Sequence, residues 1–188
     1  MATSKTRSDG KQLNDEIINM GIKYCNDVNI LGVTLTSDLR IDKHISNIVV
    51  KCSRTLYALK MIRNSGLDKT SLHDVFNSTI ISNILYAVNA WIGLSNKENL
   101  GRIEKIIKRG TKMGLWPKEE HSLRQLIDNR AKTLFTKVLT TEYHVLHHLL
   151  PEIRNCKYSL RRSLHNRCLP EMKSPHDIRN FIIRKIYE

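Results

Sequence analysis

The chain has 188 residues, 40% of them hydrophobic, enough for one domain with a sizeable core and a small appendage. Lys and Arg number 31 against 18 Asp and Glu, a formal charge of +13. Such a surplus attracts polyanions and releases counterions from phosphates, which is the electrostatic footprint of a nucleic-acid binder. The start, MATSKTRSDGK, is polar and has no apolar run of the secretory kind. Cys25, Cys52, Cys156 and Cys168 therefore read as reduced thiols. No stretch reads as the ~18 consecutive apolar residues of a membrane span. The expectation is an intracellular protein, in nucleus or cytoplasm, neither secreted nor membrane-bound.

In chain order, residues 16–35 come first as short strands. EIINM, GIKYC and VNILGVTLT are rich in Ile, Val and Tyr, with Gly21 and Asn26-Asp27 as expected turns. After Ser37-Asp38 the apolar period changes to three and four. Asp42 is the expected N-cap of a helix over about 42–64. Ile45, Ile48, Val49, Cys52, Leu56, Leu59 and Ile62 form its apolar face, and Gly66 follows its end. A second helix starts near Asp68–Thr70. Its end, STIISNILYAVNAWIGL, is apolar almost all round and predicts burial on several sides, with a strand left open for part of it.

A third helix is predicted over about 96–113. Leu100, Ile103, Ile106 and Ile107 face inward, and Gly114 and Pro117 stop it. A fourth segment runs from Ser122 to Pro151 with a break near Asp128. Residues 152–176 are basic and poorly periodic. HDIRNFIIRKIYE closes the chain as a short helix with Ile178, Phe181, Ile182 and Ile186 on one face. The fold class is thus mainly α. A small N-terminal β-hairpin or meander precedes a helical bundle and a basic C-terminal tail with a short helix.

Two-metal phosphoryl transfer needs clustered carboxylates. The sequence has no Asp-Asp doublet, and Asp15-Glu16 and Glu119-Glu120 stand in polar segments as solvated surface. His147 and His148 would point about 100° apart on a helix. His165 and Cys168 have a workable spacing, with Cys156 upstream, but no second Cys pair completes a zinc set. No Walker loop, dinucleotide fingerprint or nucleophile elbow occurs. No metal or cofactor is expected. What remains is a binding surface. Lys43, Lys51 and Arg54 lie on the first helix, and Arg102, Lys105, Lys108, Arg109 and Lys112 stripe the third. Arg154, Lys157, Arg161, Arg162 and Arg167 follow in the tail, interleaved with Tyr158 and His165. Each stripe taken singly reads more readily as an ordinary solvated face, and three basic stretches with few compensating acids move the balance toward binding.

Several segments resemble the end of a non-LTR (LINE-type, jockey-like) retrotransposon reverse transcriptase. NILGVTLTSDLRIDKHI at 29–45 resembles the segment after the catalytic palm, with Leu31, Gly32, Val33, Asp38, Leu39, His44, Ile45, Ile48 and Lys51 matching and Ile41 where the family has Trp. SNILYAVNAW matches at Leu85, Tyr86 and Trp91 without the family's proline, and GRIEKIIKRG matches at Arg102, Ile103 and Arg109. LHHLLPEIRNCKYSLRRSLHNRCLP and FIIRKIY resemble the family's tail. SKTR at 4–7 resembles its last palm motif, with Lys5 at the matching lysine.

The resemblance covers nearly the whole chain. It implies an end-of-palm and primer-grip remnant at 1–38, a helical thumb-like bundle at 39–118, and a C-terminal helical region and tail at 119–188. Leu31, Gly32 and Val33 would be primer-grip-like, and the basic helices would hold RNA, DNA or an RNA–DNA hybrid by its backbone. The aspartate motifs that bind magnesium in the parent polymerase would lie upstream of Met1. The implied protein is a reverse transcriptase fragment, inactive alone, with a palm-containing chain as a further partner. The rival readings are a helical protein-interaction module and a transposon remnant without function.

Overall fold

The computed structural model describes residues 25–117, 122–154, 165–174 and 177–188. Expected strands before Cys25 lie outside these residues. Strands β1 (Asp27–Ile30) and β2 (Val33–Thr36) pair antiparallel, with Ile30 opposite Val33. The turn between them is Leu31-Gly32, both at positive φ (48° and 84°), as tight hairpin turns require. Asn26-Asp27 is therefore not a turn. Asp27 opens β1, and Asn26 closes the hairpin mouth by accepting from the Ser37 amide at 2.8 Å.

Helix α1 (Asp42–Asn64) has the expected bounds, and Gly66 follows at φ +93°. Its N-cap is Ile41, not Asp42, and no side chain caps it. Asp42 sits in the first turn, where a carboxylate complements the helix dipole. It accepts from Asn99 Nδ2 at 2.9 Å and from Arg40 Nε at 3.0 Å. The Asn99 bond first, then Arg40, hold its carboxyl below the usual range. The inner face is Ile45, Ile48, Cys52, Leu56 and Leu59, whereas Ile62 at the frayed end is exposed.

The apolar stretch is helical on both sides of a break at Tyr86-Ala87 and contains no strand. Helix α2 (Lys69–Phe76) is capped by Asp68, whose side chain accepts from the Ser71 amide. A π-helical turn follows at Asn77–Ile81, then α3 (Ser82–Leu85). The buried residues Leu72, Phe76, Ile80, Ile84 and Val88 recur every four positions. An α-helix repeats every ~3.6 residues, so a four-residue repeat drifts round its axis. The wider π turn takes up part of that drift. The helix then breaks: Tyr86 is extended and Ala87 is left-handed (φ 48°, ψ 23°), before α4 (Val88–Trp91) and a 3-10 turn at Ile92–Leu94. By length and mean hydropathy alone, 69–94 resembles a membrane span, which qualifies the sequence expectation. Its large apolar residues Phe76, Ile80, Ile84 and Trp91 are core residues of this fold.

Asn96 caps α5 (Lys97–Lys112), and Gly114 follows at φ +66°. Three contacts tie α5 to α1: Asn99 to Asp42, Arg102 to Ser46 Oγ at 2.9 Å, and Arg63 to the Met113 carbonyl. Residue numbers rise together in these pairs, so the two helices run parallel. Helix α6 (Leu123–Thr140) opens on a Ser122/Gln125 capping box. It passes through Asp128 without a break and ends well short of Pro151, correcting both expectations. Past Thr140 the residues Thr141, Glu142 and Tyr143 are exposed and offer no apolar face, so the chain continues as turns with a 3-10 turn at His147–Leu149. Helix α7 (Phe181–Tyr187) buries Ile182 and Ile186. Ile178 lies instead in a 3-10 turn at Asp177–Arg179 and is 55% exposed.

The main core runs from Val33 to Ile127 and crosses the expected boundaries at 38/39 and 118/119. A second cluster joins Phe135 and Val138 of α6 to Ile182 and Ile186. Gly110 shows how tightly α5 is seated. A Cβ there would collide with the ring of fully buried Phe76, which stacks on Trp116 at 5.2 Å. Gly→Ala inside a helix ordinarily stabilises by about 0.5–1 kcal/mol. Here overpacking dominates, and Gly110→Ala should destabilise by about 1–3 kcal/mol in urea denaturation. A rise in the midpoint would refute this packing.

Candidate nucleic-acid interface

Residues step ~100° round an α-helix, so Arg102, Lys105, Lys108, Arg109 and Lys112 fall within about 120° of α5. The buried residues Asn99, Ile103, Ile106 and Gly110 occupy the opposite side. The sequence thus assigned this stripe to the correct face. Its members differ in availability. Arg102 borders the core, is half-buried and donates to Ser46 Oγ. Lys108 pairs with Glu104 at 3.9 Å. Lys105, Arg109 and Lys112 are exposed and make no ion pair among the described residues.

The cations of α1 likewise differ in availability. Lys43 binds Asp27 of β1 at 2.6 Å, fastening the hairpin to the helix. Lys51 reaches toward α3, with Nζ 3.5 Å from Asn83 Oδ1. Arg54 is exposed and unpaired among the described residues. Arg161, Arg162, Lys157 and Tyr158 lie outside the described residues. Arg154 is exposed, whereas Arg167 donates to the Pro151 carbonyl at 3.0 Å and Ile153 bridges to Arg167. A second set of cations escaped the sequence reading. Arg130 and Lys137 of α6, with Thr133 and Asn89, line an open groove of about 390 Å³ beside Ala87. Their spacing of three and four along one face, 130–133–137, was the available signal.

Leu31, Gly32 and Val33 belong to a different cluster. Leu31 and Gly32 form the hairpin turn, and only Val33 is in a strand. Tyr86 donates its hydroxyl to the Leu31 carbonyl at 3.0 Å, and its ring lies where a Gly32 Cβ would point. Trp91 Nε1 donates to the Tyr86 carbonyl at 3.0 Å, satisfying a group freed by the helix break. His44 stands edge-on to Trp91, 5.6 Å between ring centroids. Its Nδ1 accepts from the Thr34 amide at 3.5 Å. Four positions of the resemblance, Gly32, His44, Tyr86 and Trp91, therefore meet in one structural knot.

Of the candidate metal ligands, His147 and His165 have other partners, Cys168 is an exposed free thiol, and Cys156 lies outside the described residues. His165 Nε2 faces the Ile186 carbonyl at 2.8 Å, and its Nδ1 accepts from the Arg167 amide at 3.2 Å. His147 Nδ1 faces the Val138 carbonyl. Among the described residues no three of His, Cys, Asp and Glu come together as a metal site. Comparison with protein-family models, curated proteins and solved structures finds no match to this chain.

Burial holds the His44 imidazole below its usual pKa. The unfolded chain therefore binds the extra proton first, below about pH 6.5. The contribution of neutral His44 is complete above that pH and is lost as pH falls toward the depressed folded-state value. Urea midpoints should drop between pH 7 and pH 5.5, and less so in His44→Gln. Equal pH slopes for the two proteins would exclude His44 as the source.

Proposed function

We propose that this chain is a nucleic-acid-binding segment of a non-LTR retrotransposon reverse transcriptase, the part that follows the palm, and that it has no polymerase activity alone. The observation that carries the reading is the α5 row of Lys105, Arg109 and Lys112, exposed and without an ion pair among the described residues, in a chain of charge +13. Flexible, fully hydrated cations on a helix face suit phosphates, which every sequence presents alike. Binding is thus to the backbone of RNA, DNA or a hybrid, with little sequence preference. The ordered motif resemblance supports the same reading, and so does the meeting of four of its positions around Trp91. The absence of an Asp-Asp doublet from the sequence supports the inactive half.

A second reading draws on the hairpin. Val28, Ile30 and Leu31 are exposed, and β1 pairs on one edge only among the described residues. An unpaired apolar edge favours a protein partner. A palm-containing chain would satisfy both readings, while a pure interaction module would leave the charge for solubility.

A salt series with a labelled RNA–DNA duplex separates them. Affinity should fall steeply between about 50 and 200 mM salt, with little dependence on duplex sequence. Combined Lys105→Gln, Arg109→Gln and Lys112→Gln should flatten the log–log salt slope by about two to three. Absence of binding at low salt would overturn the proposal. Magnesium-dependent cDNA synthesis by the purified chain would overturn the inactive half.

A further inference from the structure

Helix α1 has a second, outward face that the core does not use. Val50, Arg54, Tyr57 and Met61 follow at spacings of four, three and four, which sets them in one line along the helix. Val50 is 51% exposed, Tyr57 68% and Met61 52%. The Tyr57 hydroxyl makes no hydrogen bond among the described residues. The line lies on the side of α1 that adjoins α5, because Ser46, one turn before Val50, touches Arg102. Interpolating between the Ser46–Arg102 and Arg63–Met113 contacts sets Tyr57 about level with Arg109. The parallel helices thus present two adjacent rows. One is cationic (Lys105, Arg109, Lys112) and the other is apolar and aromatic (Val50, Tyr57, Met61), with Arg54 between its members.

We propose that this double row binds single-stranded nucleic acid, with the backbone along α5 and an unpaired base stacked on Tyr57. The inference rests on the nucleic-acid reading above and adds the strand state. An intact duplex shows phosphates outward and keeps base faces inside its stack, so a phenol and a thioether beside the cations would gain nothing from it. An unpaired base offers the π face that an exposed aromatic recognises, in any sequence. A second copy of the chain fits less well as the occupant. It would bring two rows of unpaired cations against one another, and like charge across an interface is costly.

The test is fluorescence anisotropy at one moderate salt concentration with three labelled probes: oligothymidylate and oligouridylate of about 12 nucleotides, and an RNA–DNA duplex of similar length. Tyr57→Ala should weaken both single-strand complexes about five-fold or more, and Tyr57→Phe should retain them. Duplex affinity should change less than about two-fold in either variant. The salt slope should not change, because no charge is removed. Tyr57 is a surface residue, and circular dichroism of each variant checks that the fold is intact. Unchanged single-strand affinity in Tyr57→Ala would overturn the stacking proposal, as would equal loss on duplex and single strands. In both cases salt-dependent binding would leave the broader reading standing. Failure of all probes to bind at low salt would remove both. Dimerisation abolished by Tyr57→Ala, with single-strand affinity intact, would give the face to a second copy instead.

Discussion

The carbonyl of Tyr86 is the group around which this fold is arranged. The long apolar helix breaks there, which frees that carbonyl from the helical ladder. The buried indole of Trp91 satisfies it across one turn of chain. The same tryptophan receives the edge of His44, and His44 in turn receives the β2 amide of Thr34. The Tyr86 side chain meanwhile reaches the hairpin turn. One aromatic residue thus couples three pieces of the chain that are far apart in sequence. The left-handed Ala87 is the local strain that the knot holds in place.

Cations in this protein serve two distinct ends. Lys43, Arg63 and Arg167 fasten one element to another through Asp27, the Met113 carbonyl and the Pro151 carbonyl. Lys105, Arg109 and Lys112 fasten nothing that is described. A net charge cannot distinguish these classes, because both count equally toward +13. The distinction bears on the proposed binding, since only uncommitted side chains could follow a phosphate backbone without loosening the fold.

Periodicity made much of the fold legible. The bounds of α1 and α5, the helix starts near Asp68, Asn96 and Ser122, and the inward face of α5 follow from residue spacing. The misreadings have local causes. Asn26-Asp27 has turn composition, but the turn formed at Leu31-Gly32, because pairing Ile30 with Val33 leaves only those two residues to connect the strands. Asp42 resembles a cap but found a better partner in Asn99, 57 positions away, which no local rule anticipates. The π turn at 77–81 and the continuous passage through Asp128 are tertiary outcomes of packing. For the candidate interface, the sequence placed the α5 stripe on one face. It could not tell that Lys51 faces α3, or that the outward side of α1 carries an aromatic line beside α5.

The parallel course of α1 and α5 has a consequence for how the chain acquires its shape on the ribosome. Asp42 and Asn99, which join the starts of the two helices, are 57 residues apart, and Ser46 and Arg102 are 56 apart. At about 5–20 residues per second, the apolar side of α1 emerges roughly 3–10 s before α5 exists to cover it. During that interval Ile45, Ile48 and Leu56 have only the earlier-emerging apolar segment with Phe76, Ile80 and Ile84 to pack against. The pair is complete only when Asn99 and Arg102 have emerged to meet Asp42 and Ser46.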